Sequence, residues 1–288
     1  MKDYLKIGIL GGDARMRYTA VALSSCAECA VWGIDDPPAS AVRAADWRGA
    51  VHGADAVVLP LPMTRDGITL SAPGAGETLP LDSILDAMSA GTVLFAGKMP
   101  PLFIDCAKER GIRAVDYYED EAFQIAGAVQ TAEGAVAACV NALPGTVSGM
   151  NCAVIGYGRV GRTLAVLLRA LGAHVTAAAR NPRDRAWAEA DGCGAVPLAE
   201  WCADPGAPDA VFSTVPVPVL GADALGRLPQ SAVLFELADG IDREAAESHG
   251  VRVIPLPGLP GKVAPKSAGE SIAASVVRTL AEGGVLHG

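Results

Sequence analysis

The sequence has no uninterrupted apolar run that approaches the length of a membrane-spanning helix, which is about 20 residues. It begins without the basic segment, the long apolar segment and the cleavage site of a secretory signal, and leads into a short apolar strand and a Gly-Gly turn. The basic residues are scattered and the formal net charge is −9, which argues against a nucleic-acid surface. We therefore expect a cytoplasmic protein that binds neither a membrane nor nucleic acid.

Paired cysteines and clusters of metal ligands are also lacking. The seven cysteines are odd in number and lie mostly within apolar segments, which favours reduced thiols over a disulfide framework. Cys26 and Cys29 have the spacing of a metal or redox pair, but no second pair and no nearby histidine complete a zinc site. The sequence therefore predicts no metal.

The sequence does contain an alternation of short apolar strands with helical or polar connections. This rhythm is typical of parallel strands with helical crossovers, and it occurs on both sides of a long alanine-rich helix predicted over residues 119–143. The predicted strands span residues 6–10, 30–34, 56–59, 92–96 and 112–115 in the first series, and residues 152–155, 174–179, 210–215, 232–237 and 251–255 in the second.

A chain of 288 residues, 51% of them hydrophobic, is long enough for two separate cores. We predict an α/β protein with two three-layer domains. Residues 131–267 are expected to form a Rossmann-type doubly wound parallel sheet that binds the cofactor. Residues 1–130 are expected to form a smaller flavodoxin- or Rossmann-like domain for substrate and catalysis, completed by a C-terminal helix within residues 268–288.

The cofactor site is predicted from Gly156-Tyr157-Gly158-Arg159-Val160-Gly161, which follows a strand and opens a helix. In a dinucleotide cradle the first glycine permits a tight turn, the second lets the backbone approach the pyrophosphate, and the third lets the helix pack closely on the strand. The helix N-terminus then faces the anion. A second segment, Thr214-Val215-Pro216, ends a later strand of this domain, where hydroxyl and backbone groups line the nicotinamide ribose.

The tip of the next strand indicates which dinucleotide binds. An NAD site usually has an acidic residue about 20 positions after the glycines, where it accepts a hydrogen bond from the ribose 2′-hydroxyl. This chain has Arg180 and Asn181 there instead. Because an arginine pairs with phosphate at two points, Arg180 favours a 2′-phosphate and hence NADP(H). Arg183 and Arg185 either add positive potential nearby or are solvated loop charges.

Candidate substrate groups lie on loops after strands, where an open parallel sheet binds its ligands. Residues 11–17 fit an anion-binding turn or a plain surface turn, and residues 59–67 and Gly97-Lys98 could each hold a carboxylate or be surface loops. Residues 257–269 are too rich in proline and glycine for the interior of an element. Their lysines lie beside a helix N-terminus predicted at Ser267, which favours a functional loop.

Taken in order, these motifs resemble the family of dipicolinate synthase A subunits from spore-forming bacteria, over nearly the whole chain. The most specific motif is Ala264-Pro265-Lys266-Ser267-Ala268-Gly269. One departure is the loop after residues 232–237, where the family has serine or alanine before Pro-Gly-Gly and this chain has Ala238-Asp239-Gly240. The other matching segments are residues 11–15, 131–134, 156–161 with Arg180, 214–216 and 257–261.

The resemblance implies an NADP-dependent oxidation of dihydrodipicolinate to dipicolinate, the calcium-chelating acid of the spore core, in the mother-cell cytoplasm. It also implies a flavoprotein-like partner, the second subunit of the enzyme, and the chain could form a homo-oligomer as well. Such a reaction needs a hydride acceptor, loss of a proton and two carboxylates held in place.

Catalytic roles are assigned to Glu133 and Lys266. Glu133 is the candidate base, because the linking helix is expected to run along the cleft and no histidine falls on a strand-end motif; the alternative is a carboxylate on the helix surface. Cations bind carboxylates directly. The predicted substrate-binding residues are Arg15, Lys98, Thr131 and Ser267, with Lys266 as a further carboxylate partner.

Two other functions stay open at this point. One is a non-catalytic NADP(H)-binding subunit that docks on a flavoprotein partner and regulates it. The other is a dehydrogenase for another small carboxylic acid, since the two-domain plan and the Thr-x-Pro strand end also suit shikimate-type or 2-hydroxyacid dehydrogenases.

Overall fold

The computed structural model of the protein describes residues 5–284. These residues divide into two compact units, which we call the first domain (residues 5–126 and 264–284) and the second domain (residues 127–263). The sequence predicts the two boundaries a few residues later, after residues 130 and 267. Within the described part of the chain, no helix is long and apolar enough to cross a membrane.

The first domain alternates strands with helices. Its strands are β1 (Lys6–Leu10), β2 (Glu28–Trp32), β3 (Val42–Arg43), β4 (Ala56–Val58), β5 (Val93–Ala96) and β6 (Arg113–Asp116). Its helices are α1 (Ala14–Leu23), α2 (Trp47–Val51), α3 (Leu81–Ala87), α4 (Pro101–Glu109) and, near the chain end, α12 (Pro265–Glu282), with one 3-10 turn (Tyr117–Glu119).

The second domain repeats this plan after the long helix α5 (Glu121–Ala142), which contributes residues to both domains. Its strands are β7 (Asn151–Ile155), β8 (His174–Ala179), β9 (Gly194–Pro197), β10 (Ala210–Ser213), β11 (Val233–Glu236) and β12 (Arg252–Pro255). Its helices are α6 (Arg159–Ala170), α7 (Pro182–Ala190), α8 (Leu198–Ala203), α9 (Ala222–Leu225), α10 (Arg243–Ser248) and α11 (Leu259–Val263).

Both sheets are parallel and have the same topology. The strand order is β3-β2-β1-β4-β5-β6 in the first domain and β12-β11-β10-β7-β8-β9 in the second. In each, the chain moves from the first strand to one edge and then returns to build the other side, which is the doubly wound Rossmann order. The predicted fold class is therefore confirmed, although the first sheet has as many strands as the second and is not the smaller one.

Helices cover both faces of each sheet, so the central strands are apolar on both sides. In β5 all four residues are buried, and in β1 only Lys6 is exposed. One face of the first sheet packs against α1 and α12, which cross at Gly269. A Cβ at Gly269 would overlap the carbonyl oxygen of Arg15, and the Thr19 hydroxyl donates to the Gly269 carbonyl at 3.1 Å. Glycine thus permits the close helix crossing that includes α12 in the first domain.

The structure corrects two local predictions. Residues 257–269 are not a plain loop, because they contain the short helix α11 and the start of α12. Leu259 of α11 is buried against Gly134 of α5. Helix α12 begins at Pro265 and not at Ser267, since proline suits the first turn of a helix, where its missing N–H costs no hydrogen bond. The short strands β3 and β9 are not predicted from the sequence.

Candidate functional site: a dinucleotide cradle and a basic edge

The turn between β7 and α6 has the geometry of a dinucleotide cradle. Gly156 has a φ of +91°, and a Cβ there would lie 2.8 Å from Thr214 Oγ1 and from Val215 Cγ1. A Cβ at Gly161 would overlap the carbonyl oxygen of Gly156. Gly158, in contrast, has no atom within 4 Å of the position that a Cβ would take. Packing therefore requires glycine at positions 156 and 161. Gly158 faces open space, which leaves room for a ligand to approach the backbone.

The N-terminus of α6 is open toward that space. Gly158 is its N-cap, no side chain caps the helix, and its first turn contains no acidic residue. The first N–H groups of a helix have no partner within the helix, and the helix dipole makes this end attractive to anions. Arg159 is exposed and Val160 is half-buried in this first turn. The uncapped N–H groups and the open space at Gly158 fit a pyrophosphate.

The end of β10 forms the other side of the cradle. The Thr214 hydroxyl and backbone N–H both donate to the Ile155 carbonyl, at 2.9 Å and 3.0 Å. These bonds fix the start of the Thr214-Val215-Pro216 segment beside the end of β7. Val215 is half-buried and Pro216 is exposed. The segment thus lies at the switch point of the sheet, where doubly wound folds bind ligands.

Tyr157 points away from the cradle and into the domain. Its side chain is 5% exposed, and its hydroxyl donates to Asp191 Oδ2 at 3.0 Å. Burial raises the pKa of Tyr157, which stays a neutral donor. Arg162 binds the same carboxylate and lies 4.1 Å above the centre of the Trp187 ring. Tyr157 can therefore meet a cofactor only through its backbone. Asp191 could not be predicted as its partner from the sequence motif, because it lies about 30 residues further along the chain.

The tip of β8 is basic. Arg180 is exposed, and the residues from Ala179 to Arg183 include no carboxylate. Arg185 shapes this turn, since its Nη1 donates to the carbonyls of Ala179 and Arg180 at 3.0 Å and 2.8 Å. Arg185 therefore has a structural role here, whereas Arg180 at the strand tip and Arg183 in the first turn of α7 are both exposed, with Arg183 Nε 3.9 Å from Asp184 Oδ1.

The corresponding crevice of the first domain is filled by its own chain. Helix α1 follows β1 as α6 follows β7, but Asp13 caps α1 and accepts a hydrogen bond from the Arg15 backbone N–H at 3.1 Å. The Gly12 N–H donates to the Ser71 carbonyl at 2.8 Å, and a Cβ at Gly11 would lie 2.8 Å from Ala72. A carboxylate and a loop thus occupy the position that is open at the N-terminus of α6 in the second domain.

Two predicted cations lie around Leu61 at the carboxyl edge of the first sheet. Arg15 is paired with Asp13, through Nε to Oδ1 and Nη2 to Oδ2, both at 2.8 Å, and it also donates to the Leu61 carbonyl. Lys98 follows Gly97, which packs on Leu61. The Lys98 ammonium lies 4.8 Å from the centre of the Tyr118 ring. The backbone of Lys98 is in the left-handed region, with a φ of +58°.

Lys266 and Ser267 lie in the first turn of α12, one turn before the crossing with α1. Both are exposed, and Lys266 Nζ lies 3.9 Å from Glu270 Oε1. Because Gly269 touches the Arg15 backbone, α12 begins near the start of α1. The first domain therefore places Lys266 on the helix that packs beside Arg15.

The remaining two candidates are on α5, in the second domain. Thr131 donates its hydroxyl to the Gly127 carbonyl of the previous turn at 2.7 Å, and Glu133 is exposed. Among residues 5–284, no cluster of histidine, cysteine and carboxylate side chains has the arrangement of a metal site. The roles of all these side chains stay predictions.

Two known protein families match successive parts of the chain. Residues 6–118 match the family of N-terminal domains of the dipicolinate synthase A subunit, and residues 125–245 match the NAD-binding domain of D-isomer specific 2-hydroxyacid dehydrogenases. The chain is 29% identical over 291 residues to the A subunit of dipicolinate synthase from Bacillus subtilis, with 96% of each chain covered.

Solved structures give the same picture. The A subunit of dipicolinate synthase from Bacillus halodurans has a TM-score of 0.86 at 28% identity, covering 96% of this chain and 98% of that one. The corresponding structure from Bacillus subtilis has a TM-score of 0.85 at 28% identity, covering 98% and 97%. A transhydrogenase from Sinorhizobium meliloti shares the fold, with a TM-score of 0.65 at 16% identity over 96% of this chain and 92% of its own.

The fold and the cradle define a two-domain oxidoreductase that uses a nicotinamide dinucleotide. Within that class, the chain is similar to the A subunit of dipicolinate synthase over nearly its whole length, and the resemblance predicted from its motifs is confirmed.

Proposed function

We propose that this chain oxidises dihydrodipicolinate to dipicolinate and transfers the hydride to NADP⁺, as the A subunit of a two-subunit dipicolinate synthase in the mother-cell cytoplasm of a spore-forming bacterium. The observation that supports it most is the contrast between two equivalent helices. In the second domain α6 presents uncapped N–H groups to open space, whereas in the first domain Asp13 and the Ser71 carbonyl fill that position. Of these two equivalent turns, the one in the second domain is open to a dinucleotide, and the three cations proposed to bind the substrate lie in the first domain.

The choice of NADP⁺ rests on the tip of β8. A dinucleotide whose pyrophosphate lies at α6 extends its adenosine ribose toward the end of β8. The exposed guanidinium of Arg180 is proposed to bind the 2′-phosphate. Residues 179–183 contain no carboxylate that would accept from a 2′-hydroxyl, and the next one, Asp184, lies 3.9 Å from Arg183.

On the substrate side, this chain supplies cations and one carboxylate. Lys98, Lys266 and Arg15 are proposed to bind the two carboxylates, with Arg15 neutralised in part by Asp13. Ser267, which follows Lys266 in α12, is proposed to contribute its hydroxyl to this binding of the carboxylates, and Thr131 of α5 stays a predicted substrate contact. NADP⁺, when bound, supplies the hydride acceptor. Glu133 is proposed to accept the proton that leaves as the ring becomes aromatic, so that dihydrodipicolinate and NADP⁺ give dipicolinate, NADPH and one proton.

The test is an assay of the purified chain with NADP⁺ and enzymatically produced dihydrodipicolinate. We expect dipicolinate and NADPH to form in equal amounts without a partner protein, and more slowly with NAD⁺. Product that forms only after a flavoprotein-like partner is added would favour the alternative of a non-catalytic NADP(H)-binding subunit.

A second candidate is a dehydrogenase for another small carboxylic acid, favoured by the match of residues 125–245 to a 2-hydroxyacid dehydrogenase domain. Assays with a panel of 2-hydroxy acids and NADP⁺ separate the two. Turnover of a 2-hydroxy acid in the absence of any reaction with dihydrodipicolinate would replace the proposed function by this one.

A further inference from the structure

Two buried polar atoms of the second domain have no hydrogen-bond partner among the described residues. They are the hydroxyl oxygen of Ser213 and Oε1 of Glu236. Ser213 is fully buried and Glu236 is 3% exposed. A buried polar atom without a partner lowers stability, so such atoms are rare and each one calls for a reason.

The two residues are neighbours at the ligand-binding edge of the sheet. Ser213 is the last residue of β10 and Glu236 the last residue of β11, and they are in register across the two parallel strands. The preceding residues, Phe212 and Phe235, stack on one face of the sheet at 4.9 Å. Because side chains alternate along a strand, Ser213 and Glu236 both lie on the other face.

One oxygen of the Glu236 carboxylate is already engaged. Arg243, at the start of α10, donates to Oε2, which fixes the orientation of the carboxylate. Oε1 is thereby left as an acceptor with a set direction. Ser213 can accept or donate. The pair therefore offers two acceptor positions on adjacent strands.

A short turn covers the Ser213 hydroxyl. A Cβ at Gly240 would lie 2.9 Å from the Ser213 hydroxyl oxygen and would overlap the Val215 carbonyl. The turn is held to the segment after β10 by two long bonds, from the Val219 N–H to the Gly240 carbonyl at 3.2 Å and from the Asp242 N–H to the Leu220 carbonyl at 3.4 Å. Displacement of residues 238–240 would open the Ser213 hydroxyl with the loss of the bond from Val219, while the buried Ile241 keeps the end of the turn in the core.

We propose that Ser213 and Glu236 bind the carboxamide of the nicotinamide ring, with the turn of residues 238–240 moving aside. This inference rests on the proposed function, since it needs a dinucleotide at the cradle. Gly156 of the cradle packs against Thr214, the residue after Ser213, so the pair lies at the same switch point. When an amide NH₂ donates both hydrogens at about 2.9 Å, its two acceptors lie on the order of 5 Å apart. This distance matches the spacing of neighbouring strands, which carry Ser213 and Glu236.

The experiment compares three ligands by direct binding. They are NADPH, its 3-acetylpyridine analogue, in which a methyl group replaces the amide NH₂, and 2′-phospho-ADP-ribose, which has no nicotinamide. We expect the protein to bind NADPH about 10-fold more tightly than the analogue. Ser213→Ala and Glu236→Gln should each reduce that preference several-fold and leave 2′-phospho-ADP-ribose affinity unchanged. Glu244→Gln, at an exposed carboxylate of α10, is the matched control.

Melting temperature provides the second readout. If the two polar atoms serve the ligand, Ser213→Ala should not lower the melting temperature of the free protein, since it removes an unpartnered buried group. Equal affinity of the unsubstituted protein for NADPH and its acetyl analogue would overturn the inference without any variant. So would variants that keep the full preference for NADPH. If the protein binds 2′-phospho-ADP-ribose and neither dinucleotide, the proposed function fails together with the inference.

Discussion

Arg162 and Asp191 form a two-point ion pair directly behind the glycine cradle. Nε of Arg162 lies 2.7 Å from Oδ2 of Asp191, and Nη2 lies 3.0 Å from Oδ1. Arg162 is on α6 and Asp191 follows α7, and Tyr157 of the fingerprint binds the same carboxylate. The ion pair therefore fixes the helix that begins at the cradle to its neighbour, and it links the stability of the second domain to pH.

The first prediction concerns acid stability. The hydrogen bonds from Arg162 are the main reason that the pKa of Asp191 is lower than usual, and they outweigh the effect of burial. A lowered pKa in the folded state stabilises the protein above the unfolded value of about 3.9, and this contribution is lost as the pH falls through the folded value. We expect Asp191→Asn to lower the melting temperature at about pH 7, with the difference from the unsubstituted protein shrinking toward about pH 3. A difference that does not change with pH would show that the carboxylate charge is not responsible.

The second prediction separates the two kinds of glycine in the cradle. Gly161→Ala should cost about 1–3 kcal/mol of stability, because the new methyl group would overlap the Gly156 carbonyl. Gly158→Ala has open space and an ordinary φ of −77°, so it should fold and lose dinucleotide affinity. Its melting temperature should fall less than that of Gly161→Ala, by the amount that alanine is a poorer N-cap than glycine. Melting curves and NADPH titrations of both variants check this. Undiminished NADPH affinity in Gly158→Ala would place the pyrophosphate elsewhere.

The parts of the fold that the sequence predicts well are those with local signals. The bounds of β1 and β8 agree with the predicted ranges, since each is an apolar run that ends at a polar or glycine-rich turn. The prediction for β2 is shifted by two residues, because Gly33 has a φ of +67° and ends the strand earlier than its apolar pattern indicates. The edge strand β3 has two exposed residues, Val42 and Arg43, and therefore no apolar pattern to detect.

Features that depend on contacts between distant segments were not predictable in this way. The bond between Gly12 and the Ser71 carbonyl, which fills the crevice of the first domain, joins residues about 60 positions apart. Glycines after β1 predict an anion-binding turn equally well whether or not a loop covers them. The buried pair of Ser213 and Glu236 could likewise be predicted only with the strand register known. A glutamate at the end of a strand is usually exposed to solvent.

The third prediction concerns thiol reactivity. Burial raises the pKa of Cys29 and Cys139 to about 11 and that of Cys152 to about 12, so these thiols stay protonated at neutral pH. Cys26 is exposed. Because the thiolate is the reactive form, iodoacetamide should label Cys26 in the native protein and the three buried cysteines only after unfolding. Mass spectrometry of peptides from native and denatured samples gives the comparison. Fast native labelling of Cys152 would contradict the burial.

The fourth prediction is the cofactor preference. Arg180→Ala should weaken NADP⁺ binding by about 1.5–3 kcal/mol, because it removes a charged partner of the 2′-phosphate. NAD⁺ provides the control, since it shares the pyrophosphate contacts at α6 and lacks only the phosphate. Calorimetric titration of both cofactors against both proteins measures the difference. Equal losses for NADP⁺ and NAD⁺ would remove Arg180 from the phosphate site.

The last prediction tests the basic end of α12. Lys266 is 71% exposed, and its ammonium is 3.9 Å from the Glu270 carboxylate, a surface pair of a kind worth about 0–1 kcal/mol. Lys266→Met should therefore leave the melting temperature and NADPH affinity nearly unchanged, while dipicolinate binding weakens about 10-fold or more through the loss of a charged contact. Glu270→Gln is the matched control, because it breaks the same ion pair without removing the cation.

Two results would contradict this role for Lys266. A fall of several degrees in the melting temperature of Lys266→Met would correspond to on the order of 1 kcal/mol, which would make the side chain part of the fold. Unchanged dipicolinate affinity in a stable Lys266→Met variant would instead leave the dicarboxylate to Arg15 and Lys98. Arg15 is already paired with Asp13, whereas the Lys98 ammonium lies over the Tyr118 ring. Lys98 would then be the main cation for the dicarboxylate, and we would expect Lys98→Met to abolish dipicolinate binding.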